Sequence, residues 1–182
     1  MNEAMTANIH PRSLALVTPD IAYKTSYEHY IKELGNEERY PFPMDFDHRD
    51  FPAMLQRIAD FKAGINLPAG YVPSSTFWLV SSDELIGVVN IRHYLNEALR
   101  EAGGHIGLGI RPSARGQSLG VYLLQQGILQ AGALGVDVVH VHCYKNNLAS
   151  ANMILRCGGV LHSEYTEHDP VVQRYLITQT DN

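Results

Sequence analysis

The apolar positions change period several times along the chain, and each change marks an element. Ile106, Leu108 and Ile110 alternate with His105, Gly107 and Gly109, the two-residue period of a strand. Arg111-Pro112 ends that strand, because proline cannot donate to a ladder. Beyond a polar loop, Ser113 to Ser118, the period lengthens. Val121, Leu124, Ile128 and Ala131 fall on one helical face, so a helix is expected from Leu119, its end bracketed by Gly132 and Gly135.

The same reading orders the rest. A short strand at 14–17 precedes a helix of about 21–34, with Asp20 as its N-cap and Gly35 as its stop. A second helix, about 51–63, carries Met54, Leu55, Ile58 and Phe61 at helical spacing. Strands at 76–80 and 85–94 form a hairpin around Ser82-Asp83. Residues 95–104 connect it to the central strand, with room for a helical turn or two and more length than a hairpin needs. The run 136–144 is nearly apolar on both faces and predicts an interior strand. Asn146-Asn147-Leu148 turns into a short helix, 150–156, ended by Gly158-Gly159. A last hairpin, 160–165 and 171–178, turns at Glu167-His168-Asp169-Pro170. This order predicts an α/β (α+β) chain with a mixed, mostly antiparallel sheet of about seven strands flanked by helices.

Composition narrows the function. A length of 182 residues, 45% of them hydrophobic, favours one soluble domain spanning the chain. A net charge of -5 argues against a nucleic-acid face. No apolar run approaches the roughly 18 residues of a membrane span. The N-terminal residues lack the basic-then-apolar order of a secretory signal, so a cytoplasmic location is expected. Two cysteines make no disulfide framework, and Cys143, in an apolar strand, reads as a small core residue.

The loop before the central helix carries the chemistry. Arg115-Gly116-Gln117-Ser118-Leu119-Gly120 leads into a helix start, where backbone N–H groups lack intrahelical partners and the helix dipole is positive. That combination suits a phosphate. The Gly-Lys pair of a P-loop is missing, and Gly107-Leu108-Gly109-Ile110-Arg111-Pro112 lacks the third glycine of a dinucleotide fingerprint. The loop resembles the pyrophosphate loop of the GNAT superfamily of acetyl-CoA-dependent N-acetyltransferases, whose pattern is Gln/Arg-x-x-Gly-x-Gly/Ala between a strand and a helix. Arg115 and Gly120 match its ends, and Ser118 replaces its middle glycine. The element order matches the GNAT fold along essentially the whole chain, most specifically from Gly103 to Gly159.

The resemblance implies a fold whose two central strands splay apart around the pantetheine arm of acetyl-CoA. It places substrate-side helices at about 21–63 and a cofactor core at about 103–159. The cofactor would meet the backbone of Leu108 and Ile110, the loop Arg115, Gly116, Gln117, Ser118, Leu119 and Gly120, and Asn147. That last residue opens Asn147-Leu148-Ala149-Ser150, which matches the family's Asn-x-x-Ser/Ala element. The family's proton-donating tyrosine would fall at 154, where this chain has Ile154. Replacements are Tyr144 and Tyr165. Transfer to an amine also needs a base, because a lysine-like amine of pKa ~10.4 is neutral in only about one molecule in a thousand at pH 7. Candidate bases are His105, His142, His93 and Glu97; His105 and Tyr144 are the chosen catalytic pair. Arg92, His93 and Asn96 form a polar cluster for substrate recognition, with Arg92 suited to a carboxylate.

The reading that follows is acetyl transfer from acetyl-CoA to an amine of a small molecule or peptide, without metal, in a possible homodimer. One alternative is an acyl-CoA-binding sensor without catalysis, for which Ile154 speaks. Another is a metal-dependent hydrolase, because His140-Val141-His142 puts two imidazoles on one strand face.

Overall fold

The computed structural model describes residues 13–167 and 169–179; the N-terminal residues used to argue against a signal, and His168 of the last turn, lie outside them. Seven strands and five helices follow in the order β1 (Leu14–Val17), α1 (Lys24–Leu34), α2 (Phe51–Ala63), β2 (Ser74–Ser81), β3 (Glu84–Arg92), α3 (Glu97–Glu101), β4 (Ile106–Ile110), α4 (Leu119–Ala133), β5 (Val138–Tyr144), α5 (Leu148–Arg156), β6 (Val160–Tyr165) and β7 (Val172–Thr178).

The strands part at β4 and β5, the splay the resemblance implies, so that they form two antiparallel sheets. One has the order β1-β2-β3-β4, the other β5-β7-β6. Their edge strands, β4 and β5, meet at one joint, where the His105 amide donates to the His140 carbonyl (2.7 Å) and Gly104 bridges Val141. Gly104 makes this approach possible: its φ is +67°, and a Cβ there would lie 2.6 Å from the His140 oxygen. Past the joint both strands run toward the same cavity, walled by Leu108 to Ile110 on one side and His142 to Tyr144 on the other. The run 136–144 is therefore an edge strand facing a gap, not the interior strand its apolar pattern predicts.

Two cores sandwich the first sheet. On one side Tyr27, Tyr30, Phe51, Met54, Ile58 and Phe61 from α1 and α2 pack on Trp78, Val80 and Val88. On the other, Leu119, Leu123, Leu124 and Ala131 of α4 pack with Val89, Ile106, Val139 and Ile177. The buried stripe of α4 is Leu119, Leu123, Leu124, Gly127 and Ala131, so Val121 and Ile128 flank it instead of centring it. The helix is apolar nearly all round, and its period alone does not fix the face.

Caps explain several boundaries. Asp20 accepts from the Ala22 amide (2.8 Å) at a single 3₁₀ turn, after which α1 starts at Lys24. Asp50 accepts from Ala53 (3.0 Å), and Gly64 ends α2 in the left-handed region. Asn147 accepts from the Ser150 amide (3.1 Å), which starts α5 two residues earlier than its sequence pattern. The end of β4 is tied to α1 by Arg111, only 6% exposed. Its guanidinium bonds Glu33 (2.7 Å) and Glu84 (2.9 Å), and Glu33 also accepts from the Ser113 amide (3.2 Å). Burial opposes the Glu33 charge, yet the bonds from Arg111 and Ser113 hold its carboxyl below the usual range.

Candidate active site

The ladder between β3 and β4 decides what β4 offers the cavity. Arg111 donates to Ile86 and Arg92 donates to the His105 carbonyl, so the odd residues of β4 face β3. The alternation of an antiparallel ladder then turns the main-chain groups of Ile106, Leu108 and Ile110 to the open edge. Opposite lie His142, Cys143 and Tyr144 of β5 and the first residues of α5. The gap between them holds about 920 Å³.

One end of the gap is the loop into α4. Gly116 has φ +78° and Ser118 +60°, so the serine adopts the left-handed conformation that glycine takes most easily. This fans the following amides outward. Those of Leu119, Gly120 and Val121 open a helix whose N-cap side chain makes no capping bond. Gly116, Ser118, Leu119 and Gly120 line the gap, and Gln117 lies between them in the chain. A Cβ on Gly120 would meet the Met153 sulfur at 3.0 Å.

Two arginines flank this loop. Arg115 donates through Nε to the Ile110 carbonyl (3.0 Å) and pairs with Glu37 (2.8 Å), whose carboxyl the arginine holds below its ordinary pKa. Arg156, at the end of α5, donates to the Ser118 hydroxyl (3.3 Å). Sequence reasoning missed Arg156. Its signal was the spacing of Ala149, Asn152, Met153 and Arg156, which puts all four along the gap. Asn147 also lines the gap; its Oδ1 caps α5, which leaves its amide NH₂ able to donate.

The other end of the gap is formed by Tyr40, Arg92, Ala102, Gly103, His142 and Tyr144. Tyr40 was also missed. Its residue is 41% exposed, but its hydroxyl turns inward, where a Cβ on Gly107 would meet it at 2.7 Å. The carbonyl of Tyr40 lies 2.5 Å from a Cβ placed on Gly109. The two glycines of β4 thus make room for the Tyr40-Pro41 segment, a close backbone approach typical of strand glycines. Burial raises the Tyr40 pKa, against the pull of Arg92, so the phenol stays protonated. Ile154, at the family's tyrosine position, is 1% exposed and belongs to the core.

The predicted substrate and catalytic residues separate in space. Arg92 lines the gap, but its Nη1 is engaged by the carbonyls of Gly103 (3.2 Å) and Gly104 (2.9 Å). His93 bonds Ser75 (2.8 Å), and Asn96 caps α3 at Leu99 (3.0 Å) while donating to Gly70 (2.9 Å). Neither is on the wall of the gap. His105 is 7% exposed and stands behind the joint; its Nδ1 accepts from the His140 amide (3.0 Å), which puts its proton on Nε2. Burial first, then His140, Arg92 and Arg100, lower its pKa to about 4. His142 is on the wall, and burial plus neighbouring cations lower its pKa to about 3. Tyr144 is on the wall too, while Tyr165 and Glu97 are not. His140 and His142 have ring centroids 5.9 Å apart, and among the described residues no group of three or more His, Cys, Asp or Glu is placed to hold a metal.

A crevice between diverging strand edges, with helix-start amides at one end, has the length and the donors to suit an extended ligand with an anionic end. The chain belongs to the acetyltransferase (GNAT) family, whose profile it matches over residues 30–159. No curated protein sequence matches it. Among solved structures, RimL, a ribosomal-protein alpha-N-acetyltransferase in complex with coenzyme A, is similar at 15% identity and TM-score 0.68, over 93% of this chain and 96% of that one. The microcin self-immunity acetyltransferase MccE, in complex with acetyl-CoA and AMP, is similar at 15% identity and TM-score 0.69, over 94% and 99%. A dodecameric spermidine N-acetyltransferase from Vibrio cholerae is similar at 14% identity and TM-score 0.65, over 92% and 95%. No helix among the described residues is long and apolar enough to cross a membrane.

Proposed function

We propose that the chain, as one catalytic domain, transfers an acetyl group from acetyl-CoA to the amine of a small molecule or peptide in the cytoplasm. The observation that carries this is the uncapped helix start, the amides of Leu119, Gly120 and Val121, placed at one end of a gap whose β4 wall offers unladdered main-chain groups. Those amides hold the diphosphate, with Arg115 and Arg156 beside it. The pantetheine arm lies along β4 as an extra strand and bonds the outward main-chain groups of Leu108, the Ile110 N–H and the Asn147 amide, the Ile110 carbonyl being held by Arg115.

The thioester then sits near Tyr40, His142 and Tyr144. The amine attacks the thioester carbon, the C–S bond breaks, and the amine's proton leaves through the base. Tyr144 supplies a proton to the leaving sulfur, and Tyr40 is the second hydroxyl in range of this end of the gap. His142 is better placed than His105 to accept from the amine, because its ring lies on the wall and that of His105 does not, but its nitrogens are sealed in the free protein and must be uncovered as the acceptor binds. Arg92 shapes the acceptor end by fixing Gly103, Gly104 and Tyr40.

Titration calorimetry tests the cofactor part. Wild type binds acetyl-CoA, and Arg115→Glu loses that binding while keeping its melting temperature within a few degrees. Equal affinity in both proteins refutes the assignment of the loop. The buried Ile154 favours a second reading, an acyl-CoA sensor, and steady release of free CoA thiol with an amine panel rules that out.

A further inference from the structure

At the acceptor end of the gap, two buried donor groups lack partners. Both ring nitrogens of His142 and the Nε of Arg174 are sealed from solvent with no hydrogen-bond partner among the described residues. The two residues are directly opposed in the β5–β7 ladder, so their side chains share a face with Cβ atoms about 5 Å apart. His142 opens onto the gap beside Arg92, Ala102 and Gly103.

The charged groups that act on His142 itself are all cationic or able to become so. Arg174 donates only a long bond to the Arg100 carbonyl (3.4 Å) and lies 5.4 Å from the Tyr165 ring. Arg92, Arg100 and Arg174 make no ion pair among the described residues. The groups that depress His142, after burial itself, are His140, Arg174, Arg92 and His105, all cationic or potentially so. His162 and Arg100 act in the same sense on His140. The neighbouring carboxylates act on other groups: Glu101 and Glu167 on the Tyr165 hydroxyl, and Glu38, which lines the gap, on the Tyr40 hydroxyl. Leaving buried donors unmatched is costly, and an arginine can only donate.

We propose that His142 and Arg174 form an oxyanion subsite that recognises a carboxylate or phosphate carried by the acceptor amine. This rests on the acetyl-transfer reading and narrows its substrate to anionic amines, such as amino acids, peptides with a nearby carboxylate, or phosphorylated amines. It disfavours polyamines, whose second cation would meet Arg174. The anion also counters the field that keeps His142 neutral, so acceptor binding raises the basicity of the imidazole next to the amine.

The first test uses inorganic phosphate and proton–nitrogen correlation spectra of the histidine rings, with His142 assigned through His142→Gln. A saturable shift of the His142 ring is expected, together with a rise in its apparent pKa. Arg174→Met should weaken the phosphate response about tenfold or more, the usual scale for a lost charged hydrogen bond, and Arg174→Lys should restore part of it. No His142 shift, or an undiminished response in Arg174→Met, overturns the subsite. The second test measures thiol release with matched acceptors: an amino acid, its amide and a phosphorylated amine. Amidation should lower kcat/KM about tenfold in wild type and much less in Arg174→Met; equal rates for acid and amide overturn the proposal. The carboxylate and phosphate arms decide which anion is used. Failure of acetyl-CoA to bind in calorimetry refutes the transferase reading instead, and the phosphate titration of the free protein still decides the subsite independently.

Discussion

Ser118 is the sharpest handle on the diphosphate loop, because it is a non-glycine residue at φ +60° where the family's middle glycine would sit. A left-handed residue with a Cβ costs about 1–2 kcal/mol, and replacing it by glycine returns about 0.4–1 kcal/mol of that to unfolded-chain entropy. The hydroxyl's bond to Arg156 is solvent-exposed at 3.3 Å, so its loss matters little. Ser118→Gly should therefore change stability by between about zero and +1.6 kcal/mol and leave acetyl-CoA affinity within about threefold. Ser118→Val should behave differently. A β-branched residue at positive φ is an outlier, and the loop escapes it by rotating toward negative φ, which swings the Leu119 and Gly120 amides away from the gap. If each amide gives a charged hydrogen bond of about 1.5 kcal/mol or more, losing two weakens binding by on the order of a hundredfold. Calorimetry with acetyl-CoA reads the affinity, and a melt without ligand reads the fold. A well-folded Ser118→Val protein that binds within about threefold of Ser118→Gly would refute the claim that this turn aims the amides.

Three further outcomes are expected. Arg111→Met should cost about 1.5–3 kcal/mol in urea denaturation, because it removes a buried guanidinium's charged hydrogen bonds to the half-exposed Glu33 and Glu84, and adding Glu33→Gln should restore part of the loss; a cost below about 1 kcal/mol contradicts a structural role for the cluster. Glu37→Gln frees Arg115 and removes a negative charge beside the loop, so acetyl-CoA should bind about two- to tenfold more tightly, with a steeper salt dependence; unchanged or weaker binding contradicts it. His105 and His142 titrate near 4 and 3 when folded, below the unfolded value of about 6.5, so their contribution to stability is complete above pH ~6.5 and falls away toward pH ~4. That loss should reach about 1.4 kcal/mol per pH unit for each histidine, and urea midpoints across this window should flatten in His142→Asn; an unchanged slope counts against the burial argument.

The parts legible in sequence are those set by local chemistry. Glycines and a change of period mark the loop at 115–120, and Asp20 and the stop at Gly35 follow from side-chain and backbone preferences within one turn. What stays hidden depends on partners. The apolar run 136–144 carries no sign that one of its edges faces a gap, because edge exposure is decided by what pairs with the strand and not by its residues. The buried face of α4 shares Leu124 and Ala131 with the one its period suggests but is rotated from it, because Val121, Tyr122, Leu123, Leu124, Ile128 and Leu129 leave few polar positions to orient it. His105 looks catalytic at the start of the central strand, yet its Nδ1 is taken by the next strand's backbone. Tyr40 sits in a proline-rich loop whose placement over Gly107 and Gly109 spans more than sixty residues of sequence.

The division into four and three strands itself serves function. A single closed seven-stranded sheet would satisfy every strand edge and leave nothing for a ligand to bond. Here β4 and β5 touch only where Gly104 lets them, and the free edge beyond is protected from indiscriminate pairing by what surrounds it: Arg115 occupies the Ile110 carbonyl, Asn147 and α5 stand across the gap, and Tyr40 covers the glycines. The same opening puts His142 of β5 on the wall of the gap, with Arg174 opposite it on β7 and the ring nitrogens of the one and the Nε of the other unmatched among the described residues. The proposed cofactor and acceptor sites would both arise from this one departure from regular pairing. A substitution that closes the joint further along, by letting β4 and β5 pair past His140, should abolish both at once.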